Sequence, residues 1–386
     1  MHKLLRITTV PVSLLVLLRE QLKFMSDHYE VLAVSSEGEA LKQVALQTGV
    51  RTEAVSMTRK ITPLKDLMAL WKLYQLIRRE KPLMVHTHTP KAGLLGMMAA
   101  QLAGVPVRLH TVAGMPLLEK QGITRKILTY AEKLTYWCAT RVYPNSQKMK
   151  EIIVLQRYCR PYKLKVIGNG SSNGVDTAFF ANNHLPGHDN ELKTSLKISA
   201  EDTVYCFIGR IVTDKGICEL VQAFINICEK YPHSKLLLVG PFERDLDPLD
   251  HFIEHQILNH PSIIWVDFKN DVRPYFRISN IFVFPSYREG FPNVVMQAGA
   301  MGLPCIVSNI NGCNEIIEDG KNGIIIPAKD ARSLQMAMEK LALDKALRER
   351  MASVSRQMIV NRYDQEFIMN ELLKEYNLLS EKSSIR

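Results

Sequence analysis

Long apolar runs are missing from this 386-residue chain. None approaches the roughly 20 residues that a membrane-spanning helix needs. The stretch "PVSLLVLL" meets Arg19 at once and does not read as a cleavable signal, so any membrane contact is expected to be peripheral. The seven cysteines are odd in number and never spaced C-x-x-C. Cys206, Cys218, Cys228 and Cys305 sit within apolar segments and read as reduced core residues, which fits the cytoplasm. P-loop and G-x-S-x-G sequences are absent, and no G-x-G-x-x-G follows the first expected strand. "GNG" at Gly168 is therefore no dinucleotide fingerprint.

Charge is present but lopsided. Residues 1–190 hold 26 of the 49 Lys/Arg and 13 of the 39 Asp/Glu, a net +13, while the remainder nets −3. A basic first half points to an anionic partner, a phospholipid surface or a pyrophosphate, against the plainer reading of a solvated basic face. The length exceeds one ordinary core and predicts two domains.

Short β-branched runs alternate with amphipathic stretches almost throughout. "LLRITT", "EVLAVSS", "LMVHTH", "VRLHTV", "RVYPNS" and "LKVIGN" read as strands in the first half, and "TVYCFIGR", "KLLLVG", "IIWVD", "IFVFPS", "CIVS" and "GIIIP" in the second. Helical spacing fills the gaps: Leu67, Leu70, Trp71, Tyr74 and Ile77 share one face of 64–80, and Tyr363, Phe367, Ile368, Leu372, Tyr376 and Leu379 recur at helical intervals near the end. The pattern predicts an α/β fold of two doubly wound domains with ligands at the C-terminal ends of the strands. The expected divisions are 1–170, a Gly/Asn/Ser-rich linker at 171–200, 201–360, and a final helical segment at 361–386.

Three strand ends carry candidate chemistry. "IGRIVTDKG" sets Gly209 and Arg210 at a strand end and Lys215 at a helix start, two cations beside free helix N–H groups, which suits a pyrophosphate. "PSYREGFPNVVMQ" repeats that geometry. Gly290 allows a tight turn, Pro292 suits the first helical turn, and the N–H groups of Asn293 to Val295 are expected to face the crevice. Glu289 then suits sugar hydroxyls, against the alternatives of a helix-dipole partner or a salt bridge to Arg288, and Asn293 and Gln297 share a helical face. In the first half, His110 ends a strand and could face a crevice or serve the core. His86 and His88 share a strand face without a local third ligand, which does not make a zinc site, and Lys91 opens the next helix. "DLD" at Asp245–Asp247 superficially matches a metal-chelating D-x-D but lies in a polar loop beside Pro248 and is expected to open a helix.

Taken together, "IGRIVTDKGICELVQAF", "PSYREGFPNVVMQAGAMGLPCIVSNINGCNEII" and "GKNGIIIP" resemble the second domain of the retaining glycosyltransferases of family 4. "VHTHTPKAGLLGMMAAQLAGVPVRLHTVAG" and "VIGNGSSNGVD" resemble that family's first domain and hinge. The resemblance covers nearly the whole chain and extends to bacterial enzymes of capsule, O-antigen and lipid-linked glycan assembly.

It implies a GT-B fold of two Rossmann-like domains, the nucleotide sugar held in the cleft mostly by the second domain and the acceptor by the first. It implies no obligatory metal or other cofactor. Arg210 and Lys215 would neutralise the donor diphosphate, Glu289 would hold hydroxyls of the transferred sugar, and His110 would reach the sugar from the first domain. Gly209, Gly290, Phe291, Pro292, Asn293, Val294, Gln297 and Lys91 would complete the substrate contacts. The family's second glutamate is Gln297 here, whose amide can still donate to and accept from ribose hydroxyls. Base recognition is expected near "VDFKNDVRP" (Val266–Pro274).

The expected reaction moves a hexose or N-acetylhexosamine from a nucleotide sugar, UDP preferred, to a polyprenyl-diphosphate-linked saccharide for surface polysaccharide. The expected location is peripheral, at the inner face of the cytoplasmic membrane, with no nucleic-acid partner. A GT-B sugar-nucleotide epimerase and a non-catalytic nucleotide-sugar-binding protein are the alternatives. The "GRIVTDKG" and "EGFPNVV" pair favours the transferase.

Overall fold

The computed structural model describes residues 1–384 apart from residues 59, 116, 118, 119, 183–185 and 246, and apart from the side chains of 186, 187 and 384. The chain forms two compact units, Met1–Asn173 together with Glu366–Arg386, and Gly174–Gln365. Each is an α/β unit on one six-stranded parallel sheet, the arrangement of a Rossmann-like pair.

In the first unit the strands are β1 (Lys3–Ile7), β2 (Glu30–Ser35), β3 (Arg51–Ala54), β4 (Met84–His88), β5 (Val107–Val112) and β6 (Arg141–Pro144), in the order β3-β2-β1-β4-β5-β6. Leu5 is in register with both Leu32 of β2 and Val85 of β4. In the second they are β7 (Thr203–Ile208), β8 (Ser234–Val239), β9 (Ile263–Val266), β10 (Ile281–Phe284), β11 (Cys305–Ser308) and β12 (Gly323–Ile326), in the order β12-β11-β10-β7-β8-β9. The central strands are buried almost end to end, β1, β4, β8 and β10 among them. Helices cover both faces of a parallel sheet, and their apolar cover explains why these strands read as near-continuous hydrophobic runs. Strand order reverses between β1 and β4 and again between β7 and β10, and crevices open beyond the carboxyl ends of strands at such points.

Several expectations change. "LKVIGN" is not a strand; Leu164 makes one isolated bridge to Val142. The third strand of the first sheet is "RTEA", an edge strand with no fully buried residue, so it lacks the apolar signature of its neighbours. The segment expected as a linker contains a helix, Pro186–Ser195. Its Asp189 pairs with Arg277 Nε at 2.8 Å, a tertiary tether that local composition does not reveal.

Tyr363 ends the helix Lys345–Tyr363, and the last helix, Gln365–Ser384, starts afresh beyond Asp364. Asp364 takes an extended conformation and its carboxylate accepts from Thr177 Oγ1 at 2.5 Å. The apolar periodicity runs on across that break.

The helix Pro63–Glu80 brings the most informative correction. It buries Ala69, Leu73, Leu76 and Ile77, whereas Leu67 is 64% and Trp71 57% exposed. The expected core face is thus partly a surface face.

Candidate donor site at the ends of β7 and β10

The loop after β7 is built around a glycine with no tolerable substitute. Gly216 has φ +71°, and a Cβ there would lie 2.2 Å from the carbonyl oxygen of Pro285, which follows β10. This close approach brings the two loops together. One short 3-10 turn, Thr213–Lys215, then leads into the helix Ile217–Lys230, whose apolar face is buried through Leu220, Val221, Phe224 and Ile227.

Lys215 Nζ contacts the Glu289 carboxylate directly, and Ser286 Oγ donates to the same Glu289 Oε1 at 3.1 Å. Both side chains are about five-sixths buried, with exposures of 16% and 17%. Lys215 Nζ also stands 5.4 Å from the centroid of the Phe284 ring. Glu289 therefore has a charged partner, but it is Lys215 and not the neighbouring Arg288, which pairs with Asp214. Arg210, exposed at the end of β7, pairs with Glu243 at 2.5 Å.

Asp247 of the "DLD" stretch does not open a helix. Its carboxylate accepts from the Asp214 N–H at 2.7 Å, while Asp250 caps the helix His251–Asn259; Leu246 lies outside the described residues. Among the described residues no three His, Cys, Asp or Glu side chains cluster as metal ligands.

The helix Asn293–Ala300 follows at once, with Pro292 at its N-cap. The Val295 N–H is taken by the Pro292 carbonyl at 3.2 Å. Asn293 and Val294 stand at the helix start, where an α-helix has no carbonyl to offer their N–H groups. Gly290 does not adopt a left-handed φ; the turn depends instead on Gly312, whose φ is +77° and whose absent Cβ would meet the Gly290 carbonyl at 2.7 Å. Asn311 Nδ2 donates to that same carbonyl at 2.5 Å. Phe291 is buried edge-on against Tyr363, centroids 5.3 Å apart, and anchors the loop from below. Asn293 is exposed and Gln297 half-buried on one helical face.

Lys215 and Glu289 thus meet across the two loops, while Arg210, beside Gly209 at the end of β7, pairs with Glu243. In the first unit the picked residues are placed differently. His110 is 3% exposed, Nδ1 bonded to Thr87 Oγ1 at 2.8 Å, and its ring fills the space that a Cβ on Gly93 would need, 2.4 Å away. Burial lowers its pKa to about 4, so it is a neutral core histidine here, not a group at the surface. Lys91 is tethered to Asp66 at 2.7 Å.

Two parallel-sheet units of this kind make up the GT-B fold of glycosyltransferases. The descriptions "Glycosyl transferase 4-like domain" and "Glycosyl transferases group 1" match residues 18–170 and 188–358. The chain belongs to this glycosyl transferase family. It is 33% identical to the capsular polysaccharide biosynthesis glycosyltransferase CapM of Staphylococcus aureus, over 99% of this chain and 98% of that one. It is 32% identical to the UDP-Gal:alpha-D-GlcNAc-diphosphoundecaprenol alpha-1,3-galactosyltransferase of Escherichia coli, over 80% and 79% of the two chains. Among solved structures, HepE of Anabaena in complex with UDP superposes with a TM-score of 0.81 at 20% identity, covering 98% of this chain and 100% of that one.

Proposed function

We propose that this glycosyltransferase moves a hexose or N-acetylhexosamine from a UDP-sugar to a polyprenyl-diphosphate-linked saccharide, with retention at the anomeric carbon, in surface polysaccharide synthesis. The observation that carries the reading is the Lys215–Glu289 contact, which joins the loops after β7 and β10. In this arrangement Arg210 and Lys215 face the charge that grows on the diphosphate as the bond from the sugar C1 breaks. Glu289 accepts from the sugar hydroxyls, and the N–H groups of Asn293 and Val294 add the positive end of a helix. The leaving phosphate takes the proton of the acceptor hydroxyl, and Gln297 grips the ribose as a neutral donor and acceptor. Because two side-chain cations supply the counter-charge, transfer proceeds without an added metal. The relative in E. coli supports the acceptor class by its diphosphoundecaprenol-linked substrate, and the relative in S. aureus supports the setting of surface polysaccharide synthesis.

Peripheral membrane contact is part of the same reading. The helix Gly122–Cys138 exposes Ile123, Ile127, Tyr130, Leu134 and Trp137, spaced along one side. Arg125, Lys126 and Lys133 are exposed beside them, and the helix's one acid, Glu132, is buried. The helix Pro63–Glu80 adds exposed Leu64, Leu67, Met68 and Trp71 with Lys65 and Lys72. Both helices pack on Pro90–Leu102 and lie in one layer. Interfacial aromatics flanked by cations suit an anionic leaflet, where each cation contributes about 1 kcal/mol. Binding to anionic vesicles should weaken steeply between low and high salt, and Trp137→Ala with Tyr130→Ala should weaken it further; salt-independent binding contradicts this face.

The test of the function is product analysis. The purified protein is incubated with a panel of UDP-sugars and lipid-diphosphate-linked saccharides, with and without a chelator. The expected result is a lipid-linked product longer by one sugar, its anomeric configuration that of the donor, at a rate unchanged by the chelator. Turnover of UDP-N-acetylhexosamine without any acceptor would establish the epimerase instead.

A further inference from the structure

The Lys215–Glu289 contact lies between two loop segments that are fastened to each other on both sides of it. On one side is Asp214, immediately before Lys215. Its carbonyl accepts from the Tyr287 N–H at 2.9 Å, and its carboxylate takes the Arg288 guanidinium. On the other side is Glu219, in the first turn of the helix Ile217–Lys230. The Tyr287 hydroxyl donates to its carboxylate, 2.7 Å from one oxygen and 2.8 Å from the other. Tyr287 therefore brackets Lys215: its backbone holds the residue before, and its hydroxyl holds the helix that starts just after.

The phenol suits that task. Burial, and after it the Glu219 carboxylate, raises its pKa, so it stays protonated and donates throughout the neutral range. An O–H donated to a carboxylate is roughly twice as strong as a bond between neutral groups. Lys329 Nζ stands 4.7 Å from the ring centroid, a cation on the ring face that favours this orientation. Among the described residues neither Tyr287 nor Glu219 bonds the Lys215 ammonium or the Glu289 carboxylate, whose partners are each other and Ser286. Any effect on the donor is therefore transmitted through the loops.

Such an effect matters where the two halves of the donor separate. In the function proposed above, on which this inference rests, Lys215 stays with the diphosphate and Glu289 with the sugar as the bond between them lengthens. The spacing of the two loops then decides how well both ends are held at once. Interactions realised only at that point raise kcat rather than lower KM. We propose that Tyr287 and Glu219 are positioning residues for sugar transfer: their hydroxyl–carboxylate bond sets Lys215 against Glu289 at the separation that suits the transition state.

The test compares the full-length wild-type chain with Tyr287→Phe, Glu219→Ala, Glu219→Gln and the double variant Tyr287→Phe with Glu219→Ala. UDP affinity is measured by calorimetry. The kcat and KM are measured with the UDP-sugar and lipid-linked saccharide that give product in the panel above. Tyr287→Phe keeps the ring, the N–H bond to Asp214 and the Lys329 contact, and loses the hydroxyl alone. The expected result is a kcat about tenfold lower for Tyr287→Phe and for Glu219→Ala, with UDP affinity and donor KM within about threefold of wild type. The double variant should be no slower than either single one, because the same bond is lost in all three. Glu219→Gln, whose amide oxygen still accepts from the phenol, should recover most of the rate. An unchanged kcat in Tyr287→Phe, or additive losses in the double variant, overturns the proposal and leaves the donor reading intact. So does a fall in kcat matched by an equal fall in UDP affinity, which marks a bond that only holds the fold. A wild-type chain that binds no UDP, or gives no product with any pair of the panel, overturns the donor reading and this role together.

Discussion

The two sheets end differently. At the C-terminal ends of β4 and β5 the first unit buries three imidazoles, His86, His88 and His110, near a buried Arg6. At the ends of β7 and β10 the second unit sets Arg210, Lys215, Glu289 and Asp214 in ion pairs, partly open to solvent. The same parallel topology therefore supports two kinds of polarity. One is neutral, desolvated and part of the packing; the other is charged and adjustable. In the proposed function, ion pairs such as Lys215–Glu289 exchange partners when a diphosphate and a sugar arrive, because each partner gains an opposite charge or a hydroxyl in place of the one it leaves. The histidines of the first unit have no such latitude, and titrating them works against the fold.

The largest effect expected from this difference is acid sensitivity greatest in the first unit. His110 has a folded pKa of about 4 against about 6.5 unfolded. Between those values the unfolded chain binds more protons, so stability is complete above about 6.5 and is lost as pH falls towards 4. The loss from His110 alone reaches about 3 kcal/mol, and His86 and His88 add in the same direction. Hydrogen exchange on the full chain, corrected for intrinsic rates, should show peptides of β4 and β5 losing protection before those of β7 and β10 as pH falls from 7 to 4.5. Simultaneous loss would erase the distinction between the units.

Next in size is Gly216→Ala, which forces a Cβ against the Pro285 carbonyl at a left-handed φ. It should cost about 2 kcal/mol or more in denaturant melts and disturb turnover by parting the two loops. Arg210→Ala should lower turnover about tenfold, roughly 1.4 kcal/mol of transition-state stabilisation, with the melting curve unchanged because its pair with Glu243 is exposed. The smallest effect belongs to Gln297→Glu. It should alter mainly the donor KM, and a large rise in kcat would show that the amide restrains the site.

Much of this contrast was legible before any coordinates, but unevenly. The strand ends carrying Arg210, Lys215 and Glu289 could be placed because β7 and β10 are dense apolar runs followed by Gly- and Pro-bearing loops. Their pairing could not: Glu289 lies beside Arg288 in sequence, and only the approach of Gly216 to Pro285 brings Lys215 to it. His110 showed its strand position but not its depth, which depends on Gly93 seventeen residues earlier. "RTEA" carries too little apolar content to stand out as a strand, and the network of Arg6, His86 and Tyr376 joins residues up to 370 positions apart. Trp71 and Leu67 fit a helical period that serves a surface as readily as a core, so exposure had to come from the fold.

The most direct test of the donor site is the rate of sugar transfer by Glu289→Ala, measured at saturating UDP-sugar and lipid-linked acceptor beside the wild-type chain. A fall of at least about tenfold in a chain that remains folded at the assay temperature is the predicted result. A near-wild-type rate would contradict the assignment of the β7 and β10 loops as the donor site.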